Sequence, residues 1–223
     1  MEAHVQVSIV LVDGHELIRS ALTQLLSVDG FKIVGEAQSG EEGVRKVVDL
    51  RPDVVLVELD LRDISGVETI QRLSVLAPAS RLLVLTGSED PHGVVEAILA
   101  GACGYMLKSA PPDELVSAVR ATAVGESVIS PQVAGGLLER IRERDIPVTV
   151  RSEHSAAAIR SVLTERELEI FKRLASGESN PEIGRKLSLS ENTVKNHIAS
   201  ILAKLQLDNR IQAAVQAVRS GIS

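Results

Sequence analysis

Pro52-Asp53-Val54-Val55-Leu56-Val57-Glu58-Leu59 places four consecutive aliphatic residues between a Pro-Asp pair and a glutamate. A run so short and so continuously apolar suits a strand covered on both faces, as in a parallel sheet, because a strand with one wet face would alternate. Working outward from this Val54–Glu58 strand, similar runs recur at Ser8–Val12, Lys32–Gly35, Leu82–Leu85 and Gly104–Leu107. Amphipathic stretches of helical length separate them, at Glu16–Leu26, Gly40–Leu50, Val67–Leu76 and Pro91–Gly101, with Pro112–Val124 after the last strand. Pro112 followed by Asp113 and Glu114 suits a helix start, since proline needs no donor there and carboxylates meet the positive end of the dipole. The alternation predicts an α/β fold, a five-stranded doubly wound parallel sheet with helices on both faces.

The whole chain has 223 residues, 44% hydrophobic and 24% charged, which excludes a disordered or fibrous protein and allows two small domains. No apolar run reaches the ~18 residues of a membrane helix. Met1 to Ser8 lack the basic-then-apolar pattern of a secretory signal, so a cytoplasmic protein is expected. A single cysteine, Cys103, excludes an internal disulfide and a multi-cysteine zinc module, and no metal or cofactor is expected. Two Phe, one Tyr and no Trp leave little for single-stranded bases to stack on. Residues 1–150 hold 13 Lys and Arg against 22 Asp and Glu, whereas residues 151–223 hold 11 against 8, so the back of the chain is the better match for a polyanion.

After Gly125 the alternation stops. Gln132–Arg144 reads as one more helix, and Asp145–Arg160 reads as a linker in which three alanines could extend a helix. The expected division is residues 1–125, a linker 126–160 and an all-α four-helix domain 161–223. The four helices are Glu165–Ser176, opened by a Thr164/Glu167 capping box, Pro181–Leu187 with Asn180 as cap, Glu191–Leu205 and Arg210–Arg219. In Glu191–Leu205, Val194, Ile198, Ile201, Leu202 and Leu205 fall within about 100° of arc. The opposite face carries Asn192, Asn196, Ala199 and Ala203, flanked by Lys195 on one side and by Thr193, His197, Ser200 and Lys204 on the other. Small residues permit close approach to a groove, while amides and lysines can bond base edges or phosphates. The bland alternative is a solubilising or dimerising bundle whose Asn and Lys are merely solvated.

Leu163-Thr164-x-Arg166-Glu167, Ser179-Asn180-x-Glu182-Ile183-Gly184-x-x-Leu187 and Ser190-x-x-Thr193-Val194-Lys195-x-His197-x-x-x-Ile201-x-x-Lys204-Leu205 closely resemble the LuxR-type helix-turn-helix. That resemblance implies double-stranded DNA as partner, with Lys195 and Asn196 facing the groove and Asn180 and Thr193 near phosphates. It also implies a homodimer paired through the last helix, where Ile211, Ala214, Val215 and Val218 recur at helical spacing; that stripe could equally close the domain's own core.

Ile9-Val10-Leu11-Val12-Asp13-Gly14-His15, the Pro52–Leu59 string, Leu85-Thr86 and Gly101-Ala102-x-Gly104-Tyr105-Met106-Leu107-Lys108 resemble a receiver domain, and the whole chain resembles a NarL/FixJ-type response regulator. The resemblance gathers Asp13, Glu58, Thr86 and Lys108 into a phosphorylation pocket, with Thr86 and Tyr105 as switch residues. Two departures stand out: Gly14 replaces the second acid expected to hold Mg²⁺, and Glu58 falls where an aspartate would accept the phosphoryl group. These departures imply a pseudo-receiver that works without aspartyl phosphorylation, either as a permanently active-like state or as a pocket controlled by a small-molecule or protein effector. The alternatives are a conventional regulator phosphorylated on Asp60 or Asp13, a static Glu58–Lys108 ion pair and a protein-binding adaptor. An enzyme lacks a nucleophile with a base, and lacks a nucleotide motif.

Overall fold

The computed structural model describes residues 6–88, 91–129, 155–176, 178–207 and 209–222, and divides into two compact units at Gly135/Gly136. In the first unit β1 (Ser8–Val12), β2 (Lys32–Ala37), β3 (Val54–Val57), β4 (Arg81–Thr86), β5 (Gly104–Leu107) and β6 (Val128–Ile129) form a parallel sheet in the order β2-β1-β3-β4-β5-β6. The five strands read from the sequence are present, β2 and β4 slightly longer than expected and β3 ending one residue earlier, at Val57. The sixth strand was not foreseen. It pairs Val128 with Gly104 and Ile129 with Tyr105, inside the segment assigned to the linker, because two residues carry no periodic signal.

Helices α1 (Glu16–Val28), α2 (Gly40–Leu50), α3 (Gly66–Leu76), α4 (Pro91–Ala100) and α5 (Pro112–Ala123) cover the sheet. Alternation along each strand divides the apolar side chains between two layers. Ile9, Leu11, Val54, Leu56, Leu83, Leu85 and Met106 pack with Leu22 and Leu26 of α1 and with Leu115 and Val119 of α5. Val10, Val12, Val55, Val57 and Val84 are equally buried on the opposite face, where α2 comes so close that a Cβ on Gly43 would lie 2.8 Å from Val12 Cγ1. The central strand β3 is therefore apolar at every position, whereas the edge strand β2 carries Lys32 and Glu36. Cys103 is buried in the turn before β5, as a small packed residue.

The second unit comprises α6 (Ala156–Val162), α7 (Glu165–Ala175), α8 (Asn180–Leu187), α9 (Glu191–Leu205) and α10 (Arg210–Arg219). The linker alanines do form a helix, α6, capped by Ser155, and its Ile159 is fully buried in the unit's core, so α6 belongs to this packed body. The helix expected at Gln132–Arg144 lies outside the described residues. Ser179, not Asn180, caps α8, with its N–H and Oγ both 2.7 Å from the Glu182 carboxylate. The Ser-x-x-Glu box thus outranks the Asn-Pro signal one residue later. The turn into α9 packs tightly against α8, and a Cβ on Gly184 would lie 2.8 Å from Leu189 O.

Glu167 ties α7 to α9. Its carboxylate, 4% exposed, accepts from Thr164 N–H at 2.8 Å, Thr164 Oγ1 at 2.9 Å, Ser200 Oγ at 2.6 Å and Lys204 Nζ at 2.6 Å. Burial opposes its charge, but the hydrogen bonds from Lys204, Ser200 and Thr164 outweigh that and lower its pKa from 4.5 to about 2.

A depressed carboxylate pKa contributes stability that is present above the unfolded value and is lost as pH falls from 4.5 towards about 2. Glu167→Gln is expected to destabilise the full chain at pH 7 by roughly 1–3 kcal/mol in chemical denaturation followed by circular dichroism. The gap to wild type should narrow at pH 3, and a gap that stays constant would exclude the ionised carboxylate as its cause. At Gly66 an added Cβ would lie 2.3 Å from Glu58 O and 2.5 Å from Leu59 Cα, both backbone atoms that cannot swing away. Gly66→Ala is expected to cost about 1–3 kcal/mol and lower the melting temperature, whereas an unshifted melt would show that the β3–α3 loop can open.

Candidate functional site

In an open α/β sheet the crevice forms beyond the carboxyl ends of the strands where strand order reverses, here between β1 and β3. Asp13, Glu58 and Lys108 each follow a strand by one residue, and Thr86 ends β4. The structure brings all four together. Lys108 Nζ lies 2.5 Å from Asp13 Oδ2 and 2.5 Å from Glu58 Oε2, an ammonium clamped between two carboxylates that are 3% and 4% exposed. The other oxygens are also engaged. Asp13 Oδ1 accepts from His15 N–H at 2.8 Å, and Glu58 Oε1 accepts from Leu59 N–H at 2.6 Å and Asp60 N–H at 3.2 Å. Burial pushes the Lys108 pKa down, but its hydrogen bonds to Asp13 and Glu58 prevail and raise it, so the clamp holds a charged lysine. Among the described residues no three His, Cys, Asp or Glu side chains are grouped so as to hold a metal ion.

Asp60 is exposed, three residues beyond the end of β3, and its N–H donates to Glu58. With His15, Ile18, Glu58, Thr86, Gly87, Ser88 and Lys108 it lines an open hollow of about 520 Å³. Thr86 and Tyr105 converge on Ser88, a residue the sequence reading missed. Ser88 N–H donates to Thr86 Oγ1 at 3.2 Å, and the hydroxyl of Tyr105, itself fully buried, donates to Ser88 O at 3.1 Å. Asp63 anchors the loop after β3 by accepting from Gly40 and Glu41 N–H at the start of α2. Burial opposes its charge, but those N–H groups hold its carboxyl well below the usual range.

In the second unit α8 and α9 form two helices joined by a tight turn. Val194, Ile198, Ile201 and Leu205 are buried and Leu202 is half-buried, so the apolar stripe lies where the periodicity placed it. Asn192, Asn196, Ala199 and Ala203 are exposed on the opposite face. Lys195 flanks them, 3.1 Å from Glu191 Oε1, while Thr193 Oγ1 lies 2.7 Å from Ser190 Oγ at the helix cap and His197 is half-buried.

Two residues expected to contact DNA, Lys204 on the flank of α9 and Asn180 near phosphates, are engaged within the unit. Lys204 donates to Glu167, since the 3.6-residue repeat carries the end of its flank towards α7. Asn180 is buried, and its Oδ1 accepts from Arg210 Nη1 at 2.8 Å. Arg210 also donates to Glu178 O, so it pins the start of α8; no short motif marks this partner, 30 positions away. The last-helix stripe reads from the sequence either as a pairing surface or as part of the domain's own core. Ile211 and Val215 are buried, Ala214 is half-buried, and the Val218 side chain is outside the described residues.

Residues 9–120 match the response regulator receiver domain, and residues 161–217 match the bacterial regulatory proteins of the luxR family. The transcriptional regulatory protein LiaR of Bacillus subtilis (strain 168) is 38% identical over 96% of this chain and 98% of its own length. A two-component response regulator of the LuxR family from Aurantimonas sp. SI85-9A1 superposes with a TM-score of 0.58 at 32% identity, covering 60% of this chain and 97% of that one. The response regulator ChrA of a heme-sensing two-component system gives 0.52 at 31% identity over 98% of this chain and 99% of that one. No described helix is long and apolar enough to cross a membrane. The two domain matches in this order, with kinship along nearly the full length, make the chain a member of the LuxR-family response regulators of two-component systems, a receiver ahead of a DNA-binding helix-turn-helix that serves transcription regulation.

Proposed function

We propose that this regulator binds DNA as a homodimer and that its receiver is a pseudo-receiver, held by the Asp13–Lys108–Glu58 clamp instead of being switched by aspartyl phosphorylation. The clamp is the observation that carries this reading: one ammonium 2.5 Å from each of two buried carboxylates. Mg²⁺ needs several hard oxygen ligands in near-octahedral geometry and gives up water reluctantly. Here it would have to displace Lys108, and Gly14 offers no second carboxylate. Glu58 also carries its carboxylate one methylene further than an aspartate, while in-line phosphoryl transfer depends on placement within about 1 Å.

A second reading, control by a small-molecule effector, draws on the hollow beside the clamp. Its volume of about 520 Å³ falls within the range of small-ligand sites, with Glu58 and Lys108 in its wall.

Incubating the full chain with acetyl phosphate and Mg²⁺ is expected to leave its intact mass unchanged. A gain of about 80 Da, one phosphoryl group, would overturn the pseudo-receiver reading. Its loss in Asp60→Asn or in Glu58→Gln would then identify the acceptor. For the DNA-binding unit, Lys195→Ala is expected to weaken binding to all duplexes alike in gel-shift titrations and to lower the salt slope by about one unit, as for a phosphate contact. Unchanged affinity and slope would remove Lys195 from the interface.

A further inference from the structure

The way α9 uses its polar groups selects the kind of base pair it can read. Lys204 and Ser200 donate to Glu167, Thr193 is engaged with Ser190 at the helix cap, and Lys195 is paired with Glu191. Asn192 and Asn196 are exposed, and their side-chain amides form no hydrogen bond among the described residues. At 100° per residue these two amides share an arc of about 60° with Ala199 and Ala203, at the centre of the exposed face and diametrically opposite the buried stripe. The charged groups lie on its flanks.

We propose that the Asn196 side-chain amide reads an adenine edge in the major groove while the Ala199 methyl packs on a thymine methyl, so that this regulator selects A·T pairs opposite the middle of α9. An asparagine amide carries an acceptor and a donor in one plane, the complement of adenine N6–H₂ and N7, whereas guanine presents two acceptors and calls for arginine or lysine. The central arc contains no cation to meet guanine. Asparagine is short, so its amide reaches a base edge only where the helix sinks deep. Around Asn196 the neighbours at i+3, i+4 and i+7 are Ala199, Ser200 and Ala203, none large enough to hold the helix off the base pairs. Asn192 sits on the first turn, whereas Asn196 lies one turn further in, next to the exposed Ala199, which makes it the better placed of the two amides. Ala199 lies about 4.5 Å further along the helix axis, a little over one base step of ~3.4 Å, which sets the two contacts on adjacent pairs.

This inference rests on the DNA-binding reading, and the experiment separates the two. Sequence selection from a pool of random duplexes with the full chain should return sites with an A·T pair at a fixed position in each half. Replacing that adenine by 7-deazaadenine, which removes N7, should weaken wild type about tenfold or more while leaving Asn196→Ala nearly unchanged. Replacing the neighbouring thymine by uracil, which removes the methyl, should weaken wild type several-fold and Ala199→Gly less. Both variants change exposed positions, and unaltered circular dichroism together with retained salt-dependent binding would show that the fold is intact. If Asn196→Ala keeps the wild-type base preference, or if the selected sites carry G·C there, the inference is overturned. If wild type binds duplexes without selecting a sequence, only the inference falls; if it binds no duplex even at low salt, the DNA-binding reading falls with it.

Discussion

Strand register is what assembles the pocket of the first unit. Val12 pairs with Val57 and Thr86 with Leu107, so the residues following β1 and β3, Asp13 and Glu58, emerge side by side, and Lys108 emerges from β5 beyond Thr86. The backbone continues that alignment, with Glu58 N–H donating to Val12 O at 2.9 Å and Lys108 N–H to Thr86 O at 2.8 Å. Each buried ion costs several kcal/mol to take out of water, and close pairing offsets this only when the geometry is tight. A slip of one residue would turn these side chains to the opposite face and leave two carboxylates without their ammonium. The apolar sheet and the charged clamp thus constrain each other. The sheet's register brings the charges together, and the cost of separating them disfavours any other register.

Much of this was legible in the sequence because it repeats. Five aliphatic runs, the helices between them and the stripe of α9 are periodic signals, and the structure places them within a residue or two. The convergence of Asp13, Glu58, Thr86 and Lys108 was also legible, because each lies at or just past a strand end. What escaped has no period. β6 is two residues long, and Ser88 joins the pocket through its backbone, which any residue could supply. Lys204 was assigned by its helical angle alone, yet Glu167, 37 positions earlier, claims it. Asn180 looked like a cap because Asn-Pro is a strong start signal, but its side chain is buried against Arg210. For Lys204 a long-range polar partner overrode a local rule, and for Asn180 the neighbouring Ser179/Glu182 box took the cap while Arg210, 30 positions away, took the side chain; spacing within one element does not encode such distant partners.

The second unit shows the same economy of charge. Its positive excess is small, and the structure commits several of its cations to holding helices in place. Lys204 is committed to Glu167, Arg210 to Asn180 and Glu178, and Arg166 to Glu169 and the carbonyl of Leu187. Lys204 and Ser200 anchor α9 to α7, and Arg166 and Arg210 fix the two ends of α8. The orientation of α9 relative to its scaffold is therefore set by buried or half-buried polar ties, leaving its outer face to short, uncharged side chains. A helix positioned in this way can afford a face that binds weakly per residue but discriminates between base edges, since affinity from phosphates and selectivity from bases come from different groups.

The length of Glu58 has a structural use in the clamp. One oxygen folds back over its own loop to accept from Leu59 and Asp60 N–H, while the other reaches Lys108. The additional methylene lets one carboxylate do both. A carboxylate with two backbone donors and an ammonium has little to gain from a divalent cation, and Asp13, held by His15 N–H and the same ammonium, is similarly satisfied. Beside them the loop after β4 is fastened through Thr86 and Tyr105 to Ser88. Under the pseudo-receiver reading, control of such a pocket comes from whatever competes for Lys108.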